Sequence, residues 1–193
     1  MKAAILNRYD KNGTDLAVAD IPVPEPAPRE VLVRIHTAAV NPLDNMIVRG
    51  EVRLITPYRL PLVMGNEFSG TVVKAGSNAR AFKEGDRVYG RMPLAKIGAF
   101  AEYAAVDESA LAPVPGYLSL EEAACVPLTA LTALQALDLM DAQPGQIDRL
   151  FPAERPLAVS IDRTFELAQV NEALEAVRTG HSRGKTLLSI HTD

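Results

Sequence analysis

Leu120 to Gln146, LEEAACVPLTALTALQALDLMDAQPGQ, decides the fold through the residues that come directly after it. A long apolar helix of this kind reads as the approach to a nucleotide-binding domain. Such a domain opens with a hydrophobic strand, a G-x-G-x-x-G turn and a helix. Here Pro144-Gly145-Gln146 runs straight into Ile147-Asp148-Arg149-Leu150-Phe151-Pro152. Neither G-x-G-x-x-G nor a Walker A pattern occurs anywhere in the chain. A doubly wound domain, at ~30 residues per βαβ unit, needs on the order of 100 residues or more. No such segment fits between Gln146 and Arg163, where the amphipathic stretch FELAQVNEALEAV is already approaching.

Upstream, short apolar runs are punctuated by Gly and Pro. Ala3 to Leu6 and Leu16 to Ala19 flank Asn12-Gly13, a hairpin-turn signal. Pro22, Pro24, Pro26 and Pro28 make an extended connector with few ladder donors. Val31, Val33 and Ile35 alternate with Leu32, Arg34 and His36, so this strand buries one face. Asn41-Pro42 starts a short helix, with Pro42 suited to the first helical position. Strands follow at Phe68 to Ala75, Arg87 to Tyr89 and Gly98 to Val106. This pattern predicts an all-β barrel or sandwich.

Helices then take over. Ser119 caps the first, with Glu121 and Glu122 near its positive end. Pro127 breaks the pattern into two pieces. The second, Thr129 to Met140, spaces Leu131, Leu134, Leu137 and Leu139 at near-helical intervals. The last helix is expected from near Glu166 to near Gly180, with Leu167, Val170, Leu174 and Val177 on one stripe. Lys185 to Ile190 returns as a strand.

Composition narrows the function classes. The 193 residues are 48% hydrophobic and 23% charged, as in ordinary globular chains. A net charge of −4 leaves no electrostatic footprint for nucleic acid. The single cysteine, Cys125, excludes an intrachain disulfide framework. No apolar run approaches a membrane span or a signal-peptide core, so a cytoplasmic location is expected.

Five blocks carry a resemblance: MKAAILNRYD, EVLVRIHTAAVNPLD, PLVMGNEFSGTVVKAGSNARAFKEGDRVYG, GAFAEYAAV and FELAQVNEALEAVRTGHSRGKTLLSI. With the VPLTALTALQAL helix they stand in the order of the medium-chain dehydrogenase/reductase superfamily, and the set resembles its zinc-free, quinone-oxidoreductase-like branch. The resemblance implies a mainly β GroES-like barrel with flanking helices and no Rossmann domain. One catalytic domain would span 1–193. It would comprise 1–118, helices 119–141, a linker 142–158 and a returning segment 159–193. The family's nucleotide-binding domain would be absent between about 146 and 160.

The same resemblance implies NADPH as cofactor and a small carbonyl, enone or quinone as substrate. It places Asn41 and Asp44 of the N-P-x-D motif at the cleft beside the nicotinamide, and Tyr58 on the substrate side. Thr132 and the Lys185 of Gly184-Lys185 would meet the cofactor with Asn41. Residue chemistry alone offers plainer readings. Asn41 caps a helix with Asp44 in its first turn. Thr132 bonds back to a carbonyl one turn earlier. Lys185 is a solvated strand-edge charge, and Tyr58 is a packing aromatic. Glu67 reads as wiring of the barrel, and Tyr103 as core. No metal is expected, because Asn66 stands where the zinc branch has the histidine of a G-H-E motif and Asn41 lies near its cysteine. Without a nucleotide domain the chain is expected to be inactive alone. The alternative is a non-enzymatic truncated or engineered domain that self-associates, non-natively, through the 129–140 helix or binds a partner.

Overall fold

In the computed structural model, residues 1–11, 15–141 and 158–191 are described. The Asn12-Gly13 turn, the Pro144-Gly145-Gln146 junction and the 142–158 linker up to residue 157 lie outside them.

Two sheets form the body. A three-stranded sheet has the order β2-β1-β4, from β1 (Lys2–Leu6), β2 (Ala17–Asp20) and β4 (Leu62–Val63). The larger, seven-stranded sheet is built on β3 (Glu30–Val40). Along one side β3 pairs antiparallel with β5 (Glu67–Ala75), which pairs with β6 (Arg87–Arg91) and then β8 (Leu111–Pro113). On the other side its first half pairs with β7 (Tyr103–Asp107) and its second half with β10 (Lys185–Ser189). β9 (Ile161–Glu166) adds to β10 in parallel. The C-terminal segment therefore closes back on the strand that leads into the first helix.

The core follows from the alternation of β3. Val31, Val33 and Ile35 are fully buried, with Arg34 turned to solvent. Phe68, Phe100, Met64 and Leu6 fill the space between the sheets. Gly65 sits at φ 103°, and a Cβ there would fall 2.5 Å from the Phe100 amide nitrogen. Only glycine permits that close approach, and it fixes where Asn66 and Glu67 enter the interior.

Among the described residues, three helices follow besides α1 (Pro42–Val48). α2 (Leu120–Ala124) opens with the Ser119/Glu122 capping box, and α3 (Pro127–Leu139) begins at the expected break with Pro127 at its start. α4 (Val170–Arg178) packs Val170, Ala173 and Leu174 into the core. Two boundaries differ from expectation. Glu166 ends strand β9, and a 3-10 turn, Leu167–Gln169, precedes α4. The parallel partner β10 draws Ile161–Glu166 into the sheet despite its mostly exposed side chains. The strand expected from Gly98 starts at Tyr103, because Ala99 and Phe100 bond back to the backbone of Gly65 and Met64. Tyr103 is half-buried and stacks edge-on against His191 at 5.8 Å. Among the described residues no helix is long and apolar enough to cross a membrane.

Candidate active site

Asn41 follows β3 in extended backbone and precedes Pro42, which needs no partner for a missing N–H. The cap is made from the other direction. Asp44 Oδ2 accepts from the Asn41 backbone amide at 2.8 Å. The Asn41 side-chain amide turns into the protein. Its Nδ2 donates to Glu67 Oε1 at 2.8 Å and to the Ala39 carbonyl at 3.2 Å. Its Oδ1 accepts from Lys185 Nζ at 2.7 Å. The same ammonium donates to Glu67 Oε1 at 2.6 Å. Asn66 Nδ2 donates to Asp44 Oδ1 at 2.7 Å.

Glu67 also holds α3. Its Oε2 accepts from the Leu128 backbone N–H at 2.7 Å. Val126, the residue before α3, offers no side-chain cap. A buried carboxylate from β5 therefore serves the orphan amide and faces the positive end of the helix. One network thus joins the β3–α1 corner, β5, β10 and α3.

Asp44 and Glu67 are both fully buried. Burial pushes the Asp44 carboxyl up to about 7. The amides of Asn41 and Asn66 and the Lys185 charge pull it down, and the Glu67 charge pushes it up. Asn66 Oδ1 is buried beside this pair without a partner. A protonated Asp44 would use such an acceptor if the Asn66 amide turned over.

The structure brings together Asn41, Asp44 and Lys185 of the residues expected at the site. Asn41 and Lys185 border an opening of about 300 Å³ with Pro42, Thr129, Val177 and Gly184. Asp44 stands behind them, out of reach of solvent. Lys185 is paired, not a solvated edge charge. Tyr58, in the loop after α1, is half-buried and packs on the core. Burial raises its hydroxyl pKa, against the pull of Arg91 and with a push from the Asp44 charge. Thr132 stands apart on exposed α3 and donates to the Leu128 carbonyl at 2.8 Å. Asn66 and Glu67 were not among the expected site residues, although Glu67 binds three of the network's members. The signal was a charged residue between apolar Met64 and Phe68, a carboxylate bound to need an internal cation.

A zinc site needs three protein donors of the Cys, His or carboxylate kind. This cluster offers two carboxylates and two amides, and an ammonium already sits on Glu67. Among the described residues no three His, Cys, Asp or Glu side chains gather. Cys125 lies beside Ala39 and Leu187 under the sheet, and burial pushes its thiol up to about 12. The donor set does not fit zinc.

Comparison with known proteins bears on the family and the fold. Residues 27–116 match the alcohol dehydrogenase GroES-like domain. The chain is 40% identical over 126 residues to a chloroplastic quinone-oxidoreductase homolog of Spinacia oleracea, a match covering 65% of this chain and 38% of that protein. It is 36% identical over 145 residues to a chloroplastic NADPH-dependent alkenal/one oxidoreductase of Arabidopsis thaliana, covering 71% and 37%. The chain thus spans well under half the length of these relatives. The quinone oxidoreductase of Coxiella burnetii superposes with a TM-score of 0.82 at 18% identity, over 99% of both chains. That likeness shows the GroES-like fold. The expected cytoplasmic location draws no support from the relatives, whose names are chloroplastic.

Proposed function

The chain belongs to the quinone-oxidoreductase-like branch of the medium-chain dehydrogenase/reductase superfamily, and from that membership we propose that it is the substrate side of a metal-free, NADPH-dependent reductase of quinones or conjugated carbonyls. The observation that carries the reading is Lys185 beside Asn41 at the rim of the opening, held by the buried Glu67. NADPH, when bound, supplies the hydride. The protein's part is to stabilise charge that develops on the substrate oxygen.

Lys185 has three N–H donors and spends two inside the network, so one remains for an oxygen or a carboxamide. Both amide hydrogens of Asn41 are spent on Glu67 and Ala39. Asn41 therefore acts as an acceptor that orients the ammonium. Asp44 positions Asn41 through its backbone amide. Tyr58 holds its proton and serves as a donor on the substrate side. Thr132 keeps its hydroxyl lone pairs for the cofactor end. These groups fit one end of NADPH only. The glycine-rich loop that cradles a dinucleotide's phosphates is missing from the sequence.

The chain alone is therefore expected to show no saturable NADPH binding tighter than about 10 μM, equivalent to ~7 kcal/mol, in calorimetry. A dinucleotide-binding domain inserted between Gln146 and Ser160 should restore NADPH binding and quinone-dependent NADPH oxidation. A folded fusion that binds NADPH but reduces neither quinones nor enones would count against the reading. Tight binding by the chain itself would show a cryptic site.

A second reading, a domain that folds and associates without turnover, is favoured by α3. Its apolar residues run all round the helix, a pattern that calls for burial. Yet Leu131 is 45% and Leu134 54% exposed. Burying one such leucine is worth ~2 kcal/mol. Light scattering should show wild-type self-association at micromolar concentration and a monomer for Leu134→Glu. Two monomers of equal stability would sink this reading.

A further inference from the structure

Arg91 is the cation that the network leaves over. It closes β6 directly opposite Glu67 in the antiparallel register. Opposite charges at such a position ordinarily pair. Both Glu67 oxygens are already engaged, Oε1 by Lys185 and Asn41 and Oε2 by Leu128. Arg91 Nε is buried with no hydrogen-bond partner, and no carboxylate among the described residues pairs with the guanidinium. Arg91 lines a recess of about 370 Å³ between β6, β8 and the start of α3. The other walls include Tyr89, Met92, Leu111, Pro127 and Ala130. They are mainly apolar, and the volume lies within the range of small-ligand pockets.

We infer that this recess binds a small carboxylate with an apolar, preferably flat body. The carboxylate would take the terminal Nη edge of the Arg91 guanidinium, whose paired N–H groups match its geometry. The body would lie between Tyr89, Leu111 and Pro127. An apolar anion suits both halves of the site. A neutral analogue forfeits the charge-assisted pair, and a strongly hydrated anion gains nothing from the walls. The charge of Arg91 is felt at Tyr58, so an occupant would also change the electrostatics on the substrate side of the network. The inference does not depend on the reductase reading, and its test measures binding rather than turnover.

The probes are trans-cinnamate and its neutral counterpart, cinnamamide, titrated into the isotope-labelled chain by NMR. Wild type should bind cinnamate saturably and about tenfold or more tightly than cinnamamide, a ratio that Arg91→Lys reduces and Arg91→Met abolishes. Equal binding of the two probes, binding of neither, or a preference that survives Arg91→Met in a folded chain would overturn the inference. Ala130→Trp fills the recess from the exposed side of α3 and leaves Arg91 in place. It should block cinnamate, and undiminished binding to this variant also refutes the site, whatever the fate of Arg91→Met.

Discussion

Replacing Lys185 with methionine should destabilise the fold by about 3–5 kcal/mol, the usual loss when one partner of a buried ion pair is removed. Glu67 is fully buried and takes its charge compensation from the Lys185 ammonium at 2.6 Å. Methionine fills similar volume but leaves that carboxylate facing only amide dipoles. Asn41 Oδ1 loses its donor in the same step. The carboxylate must then ionise at a large cost or take up a proton and surrender part of its hold on α3. Lys185 keeps 19% of its side chain exposed, which places the loss toward the lower end of the range. The double variant Lys185→Met/Glu67→Gln should recover most of it, since no buried charge is then left uncompensated and the glutamine carbonyl can still accept from the Leu128 N–H. Urea unfolding of the two variants beside wild type measures both quantities. A loss below about 1 kcal/mol for the single change would mean that water already screens the pair, as at exposed bridges.

This network marks the boundary of what the sequence made legible. Local rules carried the fold far. The alternation of Val31, Val33 and Ile35, Pro42 at a helix start, the Ser119/Glu122 box and the break at Pro127 depend on residues at most a few positions apart. Each is in the structure where those rules put it. The rules failed where pairing is tertiary. Ile161–Glu166 shows mostly exposed side chains and no apolar alternation, and it is a strand because β10 lies alongside. Gly98 to Phe100 is apolar enough for a strand but is spent on bonds to Met64 and Gly65.

The site divides the same way. The family resemblance supplied Asn41, Asp44 and Lys185 as positions, but their partnerships span 144 residues in the case of Lys185 and Asn41. Spacing does not encode such contacts. The plain reading of Asn41 as the cap of a helix with Asp44 in its first turn holds. The Asn41 side-chain amide in addition reaches the buried carboxylate of Glu67. For Thr132 the plain reading describes the observed bond, a hydroxyl turned back on Leu128. Arg91 drew no attention in the sequence, because its oddity is a missing partner, visible only once Glu67 is seen to be occupied.

Asp44 should make the protein's stability fall as pH rises through neutrality, the reverse of most carboxylates. Its folded value, about 7, lies above the ordinary aspartate value of 3.8. The native state therefore binds this proton more tightly than the unfolded chain does. The stability linked to it is complete below the ordinary value and is lost as pH climbs through the folded one. A shift of roughly 3 units at 1.36 kcal/mol each sets an upper bound of about 4 kcal/mol. Asp44→Asn removes the titration while keeping the shape. Its carbonyl oxygen can accept from the Asn41 amide, and its NH₂ can donate to Asn66 Oδ1 once that amide turns over, which satisfies the atom now orphaned. Urea midpoints for both chains between about pH 5 and pH 8 isolate the effect, because contributions common to the two cancel in the difference. Wild type should lose ground steadily across that window relative to the variant, and the variant should be the more stable at its upper end. Parallel pH profiles would show that Asp44 stays charged in the fold, held so by Asn41, Asn66 and Lys185 against its burial.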